Sequence, residues 1–323
     1  MLALSPSLAS LVALLLVPLA VQSMRRGRRR RLGHAKVASE CALIIKLGGS
    51  AVTDKKAFET LSAAALSHTA AALATSKWAS RTVLLHGAGS FGHFQASKFG
   101  VSKGTADPRF SWLGFAETRS SVTRLNALVV SALVGERLPA CGLPLFPRWT
   151  TRRKSQIVRD GVGEVRSLLR SGLLPVLHGD AVLDEEQGCA VLSGDALVVT
   201  LCEALRPERA VFLTDVAGVY DRPPERPGAV LLSRIVVDHR TAELRQLYSR
   251  SEARGEERLS SGLATSTAAH DVTGGLAAKL EAAAKVAQCG VPVLIVQVGT
   301  AHAAAALAGE WPEVGTLIEV GPS

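Results

Sequence analysis

The sequence predicts an α/β fold in which helices cover a mainly parallel β-sheet. The 323 residues are 47% hydrophobic, so the chain can bury a full core. Only 4% of the residues are aromatic, whereas Ala, Leu, Val and Gly abound, as expected for helices packed on an aliphatic sheet. Short apolar runs alternate with Ala- and Leu-rich stretches of helical length, which is the pattern of repeated β-α-β units.

Five short apolar runs are predicted strands. Each is nearly continuous in hydrophobic side chains, as expected for a strand that is covered on both faces. These strands are residues 42–47, 82–86, 174–178, 210–214 and 293–296. The predicted helices are residues 58–75, 116–137, 163–171, 195–205 and 275–288. Because ligands of such sheets bind beyond the carboxyl ends of the strands, the turns that follow the strands are the candidate site.

The positive charge is concentrated in one arm of the chain. The formal net charge is +9, and seven basic side chains lie within residues 25–36: Arg25, Arg26, Arg28, Arg29, Arg30, Arg31 and Lys36. Without these seven, 30 of the 37 basic residues remain against 28 acidic residues. The body is therefore nearly neutral, and we do not expect it to bind nucleic acid.

Residues 1–39 are interpreted as an apolar and Arg-rich leader outside the fold. No charged side chain precedes Arg25, and residues 8–21 are strongly apolar. Because the positive charge follows the apolar run, a secretory signal is disfavoured. If the run inserts, the positive-inside rule holds the body on the cytoplasmic side. An organelle-targeting leader and a start at Met24 remain alternatives, and the cytoplasm is the expected location of the body.

The cysteines give no sign of a metal site. There are five, scattered along the chain without a C-x-x-C pair or a histidine at metal-ligand spacing. We therefore expect reduced, mostly buried thiols. They are Cys41, Cys141, Cys189, Cys202 and Cys289.

The first candidate turn follows the first strand and contains Lys46, Gly48, Gly49 and Ser50, with Lys55 shortly after it. Glycines let the backbone approach a phosphate closely, so that N–H groups can donate to its oxygens while a lysine supplies positive charge. The spacing is not that of a Walker A loop. A Gly-Gly pair is also compatible with an ordinary tight turn.

The second candidate turn contains Gly87, Ala88, Gly89, Gly92 and His93. Its glycines satisfy G-x-G-x-x-G, but the dinucleotide fingerprint needs an acidic residue about twenty positions later at the end of the following strand, and residues 110–114 read FSWLG. The turn is better interpreted as a cradle for an anionic acceptor. An imidazole at its far end can donate to a phosphate oxygen, although a histidine beside a glycine loop can also be structural.

Two acidic residues follow the third strand. Asp180 comes directly after it, and Gly194 and Asp195 begin a helix after a predicted hairpin. Both carboxylates could orient lysines or hold a magnesium nucleotide indirectly. Asp195 could instead be only the N-cap of its helix.

The remaining candidates lie nearer the carboxyl terminus. Thr214, Asp215 and Gly218 follow the fourth strand, in a turn that can hold the sugar and base of a nucleotide. Lys279 lies one turn inside a helix that begins with two glycines, which is a plausible second anion site. Taken alone, it could equally be a solvated surface lysine.

Taken together and in this order, the turns resemble those of the amino acid kinase superfamily. The matching motifs are KLGGS at 46–50, HGAG at 86–89, SGD at 193–195, TDVAGVY at 214–220 and DVTGG at 271–275. The resemblance covers roughly residues 42–320. Within the superfamily, TDK at 53–55, SFGH at 90–93 and HGD at 178–180 resemble the isopentenyl phosphate kinases.

This resemblance implies a three-layer αβα sandwich, commonly a homodimer, that binds ATP and Mg²⁺ and phosphorylates isopentenyl phosphate to the diphosphate. It also implies an acceptor-binding lobe at about 40–205 and a nucleotide-binding lobe at about 206–323. The implied catalytic residues are Lys46, Lys55, His93 and Asp195. The implied acceptor-binding residues are Gly87, Ala88, Gly89, Gly92, His93 and Asp180. The implied nucleotide-binding residues are Lys46, Gly48, Gly49, Ser50, Gly194, Thr214, Asp215, Gly218 and Lys279.

Two segments depart from the family pattern, residues 144–153 and the charged stretch at 252–258. The first should lie near the acceptor's tail, so the preferred chain length stays open. Residues 249–271 are interpreted as a mobile surface insertion. Two alternatives also stay open: an enzyme of the same fold with a carboxylate or phosphonate acceptor, and a nucleotide-binding regulator without turnover.

Overall fold

The computed structural model describes residues 39–54, 56–251, 255–259 and 275–321. Residues Ser39–Ser323 belong to one compact unit. The predicted leader, Lys55 and most of the predicted insertion lie outside the described residues. None of the helices in these ranges is both long enough and apolar enough to cross a lipid bilayer.

Helices and strands alternate through most of the described chain. Its strands are β1 Leu43–Leu47, β2 Thr82–His86, β3 Ala140–Gly142, β4 Thr150–Arg152, β5 Gln156–Arg159, β6 Leu174–His178, β7 Asp180–Asp184, β8 Gly188–Leu192, β9 Arg209–Thr214, β10 Leu232–Val237, β11 Leu244–Ser251, β12 Gly255–Arg258, β13 Val293–Gln297 and β14 Thr316–Val320. Its α-helices are α1 Gly49–Val52, α2 Ala63–Ala74, α3 Gly89–Lys98, α4 Trp112–Gly135, α5 Val162–Arg170, α6 Gly194–Leu205, α7 Gly275–Gln288 and α8 Ala301–Ala308.

The large sheet has the strand order β12-β11-β10-β14-β13-β9-β1-β2-β6-β3. From β13 to β3 every neighbouring pair is parallel. Strand β14 is antiparallel to β13 and parallel to β10, and β11 and β12 complete an antiparallel edge. The prediction of a mainly parallel sheet is therefore confirmed.

Two apolar cores lie on opposite faces of this sheet. Successive side chains of a strand point to opposite faces, so Ile44 of β1 joins one core while Leu43 and Ile45 join the other. Helices α5, α6 and α7 cover the first core, and α1 to α4 and α8 cover the second. This is the three-layer αβα sandwich that the resemblance implied.

A small second sheet extends from the carboxyl end of β6. Its strand order is β5-β4-β7-β8, and β7 begins only one residue after β6 ends. Antiparallel pairing of β7 with β8 forms the predicted hairpin before Leu192. Beneath this sheet, Phe115 of α4 packs with Val101, Ala181 and Cys189 in a third apolar cluster.

Polar side chains fix where the helices at the site begin. The hydroxyl of Ser111 accepts from the N–H of Gly114 at 2.9 Å and caps α4. Ser193 caps α6 in the same way, accepting from the N–H of Ala196 at 3.2 Å. Such caps satisfy N–H groups that have no partner within the helix. The alternative in which Asp195 serves only as an N-cap is therefore wrong.

Three local predictions were wrong. The helix predicted at 58–75 begins at Ala63, because the described residues on either side of Lys55, 53–54 and 56–61, form a hairpin closed by a bridge between Thr53 and Leu61. The second glycine turn, predicted as a loop, continues as α3. Part of the predicted insertion, residues 249–251 and 255–258, forms paired edge strands, where Glu256 contacts Arg234 of β10.

Candidate active site

Three backbone hydrogen bonds join the turns at the carboxyl edge of the sheet. The N–H of Gly48 donates to the carbonyl of Leu213 at 2.9 Å, and the N–H of Gly87 donates to the carbonyl of Leu47 at 2.9 Å. Gly179 donates to the carbonyl of His86 at 3.0 Å. The turns after β9, β1, β2 and β6 therefore lie side by side, as their order in the sheet requires.

The glycine turns after β1 and β2 are in direct backbone contact. A Cβ atom added to Gly49 would lie 2.8 Å from the nitrogen of Gly89, and one added to Gly87 would lie 2.6 Å from the nitrogen of Gly49. No side chain fits at either place, and Gly89 also has a positive φ of 50°. These glycines are therefore required by the approach of the two backbones, whichever ligand binds.

This contact leaves N–H groups without a protein acceptor. Within the described ranges, the nitrogens of Gly49, Ser50, Ala88 and Gly89 donate no hydrogen bond. They lie at the starts of α1 and α3, where N–H groups have no partner inside the helix. Together they offer a set of donors that suits the oxygens of a phosphate group.

Lys46 lies beside these turns and pairs with Asp195. The lysine is the fourth residue of β1, and its side chain is only 5% exposed. Its ammonium group contacts the carboxylate of Asp195 in the first turn of α6. A Cβ atom on Gly194 would lie 3.8 Å from Cε of Lys46, so the start of α6 also packs against the lysine. The carboxylate therefore holds the ammonium at the start of α6.

The structure gives His93 and Gly92 different surroundings. His93 is exposed, and it lies four residues after Gly89, on the same side of α3. A Cβ atom added to Gly92 would lie 2.4 Å from Cβ of Ala88 and 3.1 Å from Val122 of α4. Close packing against Ala88 and, less tightly, against α4 therefore accounts for the glycine at 92, and its predicted contact with an acceptor stays a prediction.

Asp180 is fully buried and pairs with Arg119 of α4. The guanidinium nitrogen Nη2 lies 3.1 Å from Oδ2 of Asp180, and the N–H of Ala181 donates to Oδ1 at 2.8 Å. Burial raises the pKa of Asp180 to about 6, and Arg119 acts in the opposite direction. Arg119 also lies over the ring of Phe146, 4.4 Å from its centroid. Asp180 could therefore act on an acceptor only through the side chains that cover it, such as Arg119.

Arg119 was missed in the sequence, although one signal was present. It lies seven residues before Asn126 on α4, so both side chains project from the same face of the helix. Two polar residues on a helix face that otherwise packs against a sheet suggest buried partners there.

Two histidines stack behind the glycine turns. The rings of His86 and His178 have centroids 5.6 Å apart, and Nε2 of His86 lies 3.1 Å from the side-chain oxygen of Asn126. Burial and, to a smaller extent, the neighbouring His178 lower the pKa of His86 to about 4. Burial likewise lowers the pKa of His178 to about 4, with a smaller contribution from Arg119. Both rings are therefore neutral at neutral pH and take no part in charge stabilisation.

We expect this pair to make the fold sensitive to acid. Because the folded-state pKa values lie below the ordinary value of 6.5, the unfolded chain binds more protons, and stability falls as the pH drops from 6.5 towards 4. At about pH 5.5 each histidine should cost about 1 kcal/mol of unfolding free energy. Urea unfolding at about pH 7.5 and pH 5.5 measures this loss.

A His178→Asn variant is the matched comparison. Its loss of stability between the two pH values should be smaller than that of the parent by about 1 kcal/mol. The raised pKa of Asp180 acts in the opposite direction in both proteins, so it cancels in the comparison. Equal losses of unfolding free energy in parent and variant would contradict the assignment of the acid sensitivity to His178.

The predicted nucleotide side lies at the ends of β9 and β14. Thr214 is buried, and its hydroxyl donates to the carbonyl of Val216 at 2.7 Å. Asp215 is exposed. Gly218 packs on Thr316, whose Oγ1 would lie 2.5 Å from an added Cβ atom. Lys279 is buried in the second turn of α7, which packs against α6. The alternative in which Lys279 is a solvated surface lysine is therefore wrong.

The sequence is similar to those of known kinases of one family. The model of the amino acid kinase family matches residues 42–297. The isopentenyl phosphate kinase of Arabidopsis thaliana is 44% identical over 250 residues, 74% of this chain and 73% of that protein. The isopentenyl phosphate kinase of Haloferax volcanii is 33% identical over 283 residues, 85% of this chain and 98% of that protein.

Solved structures of the same family are also similar to this structure. One isopentenyl phosphate kinase structure superimposes with a TM-score of 0.68 and 29% identity, covering 86% of this chain and all of that one. A carbamate kinase from Giardia lamblia bound to AMP-PNP gives a TM-score of 0.58 at 15% identity, which indicates a common fold only.

Proposed function

The chain belongs to the amino acid kinase family and, within it, to the isopentenyl phosphate kinases, and we propose on this basis that it transfers the γ-phosphoryl group of ATP to isopentenyl phosphate. In this reaction an oxygen of the acceptor's phosphate attacks the γ-phosphorus, the bond from that phosphorus to the β-bridging oxygen breaks, and ADP leaves. The products are isopentenyl diphosphate and ADP.

One observation carries the proposal: unpaired backbone donors and a buried lysine lie at the same edge of the sheet. The nitrogens of Gly49, Ser50, Ala88 and Gly89 converge from two turns in backbone contact, and Lys46 lies beside them. Two phosphate groups that must approach each other repel, so a site that joins them needs fixed positive charge and aligned N–H donors more than a strong base.

We assign the residue roles from this arrangement. Lys46 stabilises the transferred phosphoryl group, and Asp195 orients its ammonium. The turn at 87–89 binds the acceptor's phosphate, and His93 donates to the same group from one helical turn further on. An acceptor that is already a phosphate monoester needs little deprotonation at neutral pH, so the imidazole serves as a clamp.

The remaining assignments follow the resemblance. Gly48, Gly49, Ser50 and Gly194 bind nucleotide phosphates through the backbone. Thr214, Asp215, Gly218 and Lys279 lie on the nucleotide side. Lys55, which lies outside the described residues, is assigned to the transferred phosphoryl group, and Asp180 acts on the acceptor site through Arg119.

Magnesium fits this site as an ion carried by the nucleotide. Among the described residues, no group of three or more His, Cys, Asp and Glu side chains could hold a metal ion. Mg²⁺ commonly binds through one or two carboxylates together with substrate phosphates, and Asp195 supplies a carboxylate that is 29% exposed. The bound ion would neutralise phosphate charge.

We also propose that the protein is a homodimer, as the resemblance implies, and that its kinase domain works in the cytoplasm. The order of charge and apolar residues in the leader supports this location.

A comparison of acceptors tests the function. The full chain is assayed for ADP release with magnesium ATP and isopentenyl phosphate, acetylglutamate, glutamate, aspartate or fosfomycin. We expect kcat/KM for isopentenyl phosphate to exceed that for every other acceptor by a factor of at least about 10², because only it presents a phosphate monoester to the donors of the second turn. A carboxylate or phosphonate acceptor with equal kcat/KM would refute the assignment. Nucleotide binding without any turnover would indicate a regulator.

A further inference from the structure

The hairpin at residues 53–61 is bonded to both glycine turns of the site. The hydroxyl of Thr53 donates to the carbonyl of Gly49 at 2.8 Å and accepts from the N–H of Ser90 at 3.0 Å. The N–H of Thr60 in turn donates to the hydroxyl of Ser90 at 3.3 Å. The position of this hairpin is therefore coupled directly to the first turn of α3.

A single carboxylate ties the tip of the hairpin to α4. Glu59 accepts from the hydroxyl of Ser121 at 2.7 Å and forms an ion pair with Arg124. The side chain of Glu59 is 16% exposed. The same hydroxyl of Ser121 lies 2.6 Å from the carbonyl oxygen of Phe91 in α3. Glu59 therefore reaches a point where the hairpin, α3 and α4 meet.

The backbone of Glu59 is itself unusual. Its φ of 48° lies in the left-handed region, which is unfavourable for a residue other than glycine. Such a conformation persists only where surrounding contacts maintain it, and here the contacts of the carboxylate do so.

The hairpin also covers α3 next to the proposed phosphate clamp. The ring of Phe58 lies edge-on to the ring of Phe94, with centroids 5.8 Å apart. Both rings are about half exposed, so their contact depends on the hairpin staying in place. Phe94 directly follows His93.

We propose that Glu59 is a positioning residue for the acceptor-phosphate site. By anchoring the hairpin on α4, it holds Ser90 and Phe94, and through them the donors of α3 and His93. This inference rests on the proposed function. Displacement of binding groups by a fraction of an ångström is enough to slow transfer. On the nucleotide side, Thr214 ends β9 and Gly218 follows it, and β1 separates β9 from β2, which leads into α3. Loss of the anchor should therefore affect the acceptor more than ATP.

A purely structural role predicts a different result. Arg124 is 56% exposed, and exposed ion pairs contribute little to stability. If Glu59 served stability alone, its removal would lower the unfolding free energy slightly and leave kinetic constants unchanged. A positioning role predicts a small change in stability together with a large change in acceptor kinetics.

The test compares Glu59→Ala with Glu59→Gln in the full chain. We expect Glu59→Ala to raise KM for isopentenyl phosphate about tenfold and to lower kcat about tenfold, with KM for ATP changed less than about twofold. Glu59→Gln keeps an oxygen that can accept from Ser121, and it should recover most of the loss. The matched control is Glu208→Ala, which removes an exposed ion pair with Arg81 and should leave all constants unchanged.

Hydrogen exchange provides a readout that does not depend on turnover. In Glu59→Ala, amides of residues 53–62 and 87–93 should exchange at least about tenfold faster than in the parent, while those of β9 stay unchanged. Parent-like kinetics and exchange in Glu59→Ala would overturn the proposal and leave the proposed function intact. An inactive parent with faster exchange in the variant would refute the function but support the coupling.

Discussion

Replacing Lys46 with methionine should lower kcat for phosphoryl transfer by a factor of about 10³, because the change removes the buried cation at the centre of the donor turns. Methionine has a similar stem and can occupy the same space without the charge. Asp195 remains partly exposed, so it keeps solvent contact after its partner is lost. The variant should therefore fold, and its defect should be in kcat rather than in stability.

Single-turnover measurement of ADP formation, together with urea unfolding, checks this expectation for Lys46→Met. The matched control is Lys77→Met, which removes an exposed lysine whose ammonium lies 5.4 Å from the ring centroid of Trp78. The control should retain parental kcat. If Lys46→Met keeps kcat within tenfold of the parent, the charge at this position does not stabilise the transferred group.

Replacing His93 with alanine should lower turnover on isopentenyl phosphate by a factor of about 10² or more. The imidazole lies one helical turn beyond Gly89, from where it can donate to the phosphate that the second turn holds. The side chain is exposed, so truncation leaves no cavity, and stability should change by less than about 0.5 kcal/mol. The affinity for ATP should be unchanged.

His239→Ala is the control for this substitution, since that histidine is also exposed but lies in the turn between β10 and β11. His93→Asn keeps a donor of similar reach and should recover part of the lost rate. Steady-state kinetics with isopentenyl phosphate as the varied substrate distinguish these cases. Near-parental kinetics in His93→Ala would remove the role assigned to the imidazole.

The arrangement of the site could be predicted largely because it follows from the central sheet. The strands at 82–86 and 174–178 have the predicted bounds, since each is an unbroken apolar run buried on both faces. Turns at the carboxyl ends of adjacent parallel strands must lie together, which is why Gly49 and Gly87 meet. The order of the glycine motifs along the chain was therefore enough to predict that their turns lie next to each other.

Helix α3 could not be predicted, for a physical reason. Gly89 and Gly92 lower the helix propensity of its first turn, so its sequence indicates a loop. Tertiary contacts override that preference: α3 begins where the two glycine turns touch, and Gly92 lets it approach Val122 of α4.

The contacts of Arg119 and Glu59 could also not be predicted from the sequence. Arg119 meets Asp180 at a separation of 61 positions in the sequence, and Glu59 meets Ser121 at a separation of 62. No periodicity marks such a pair, because each partner satisfies the local pattern of its own element. Edge strand β12 was missed for a similar reason, since its sequence is charged and one of its residues, Glu256, pairs with Arg234 of β10.

The position of β14 has a consequence for biosynthesis. This strand lies between β13 and β10 and is the last of the described strands to be made. On the ribosome, β10 and β11 therefore emerge long before the strand that connects them to the rest of the sheet, and they must wait with one edge unpaired. The sheet can close only after residues 316–320 have left the exit tunnel, so its completion comes late, and an unpaired edge that favours aggregation is exposed before it.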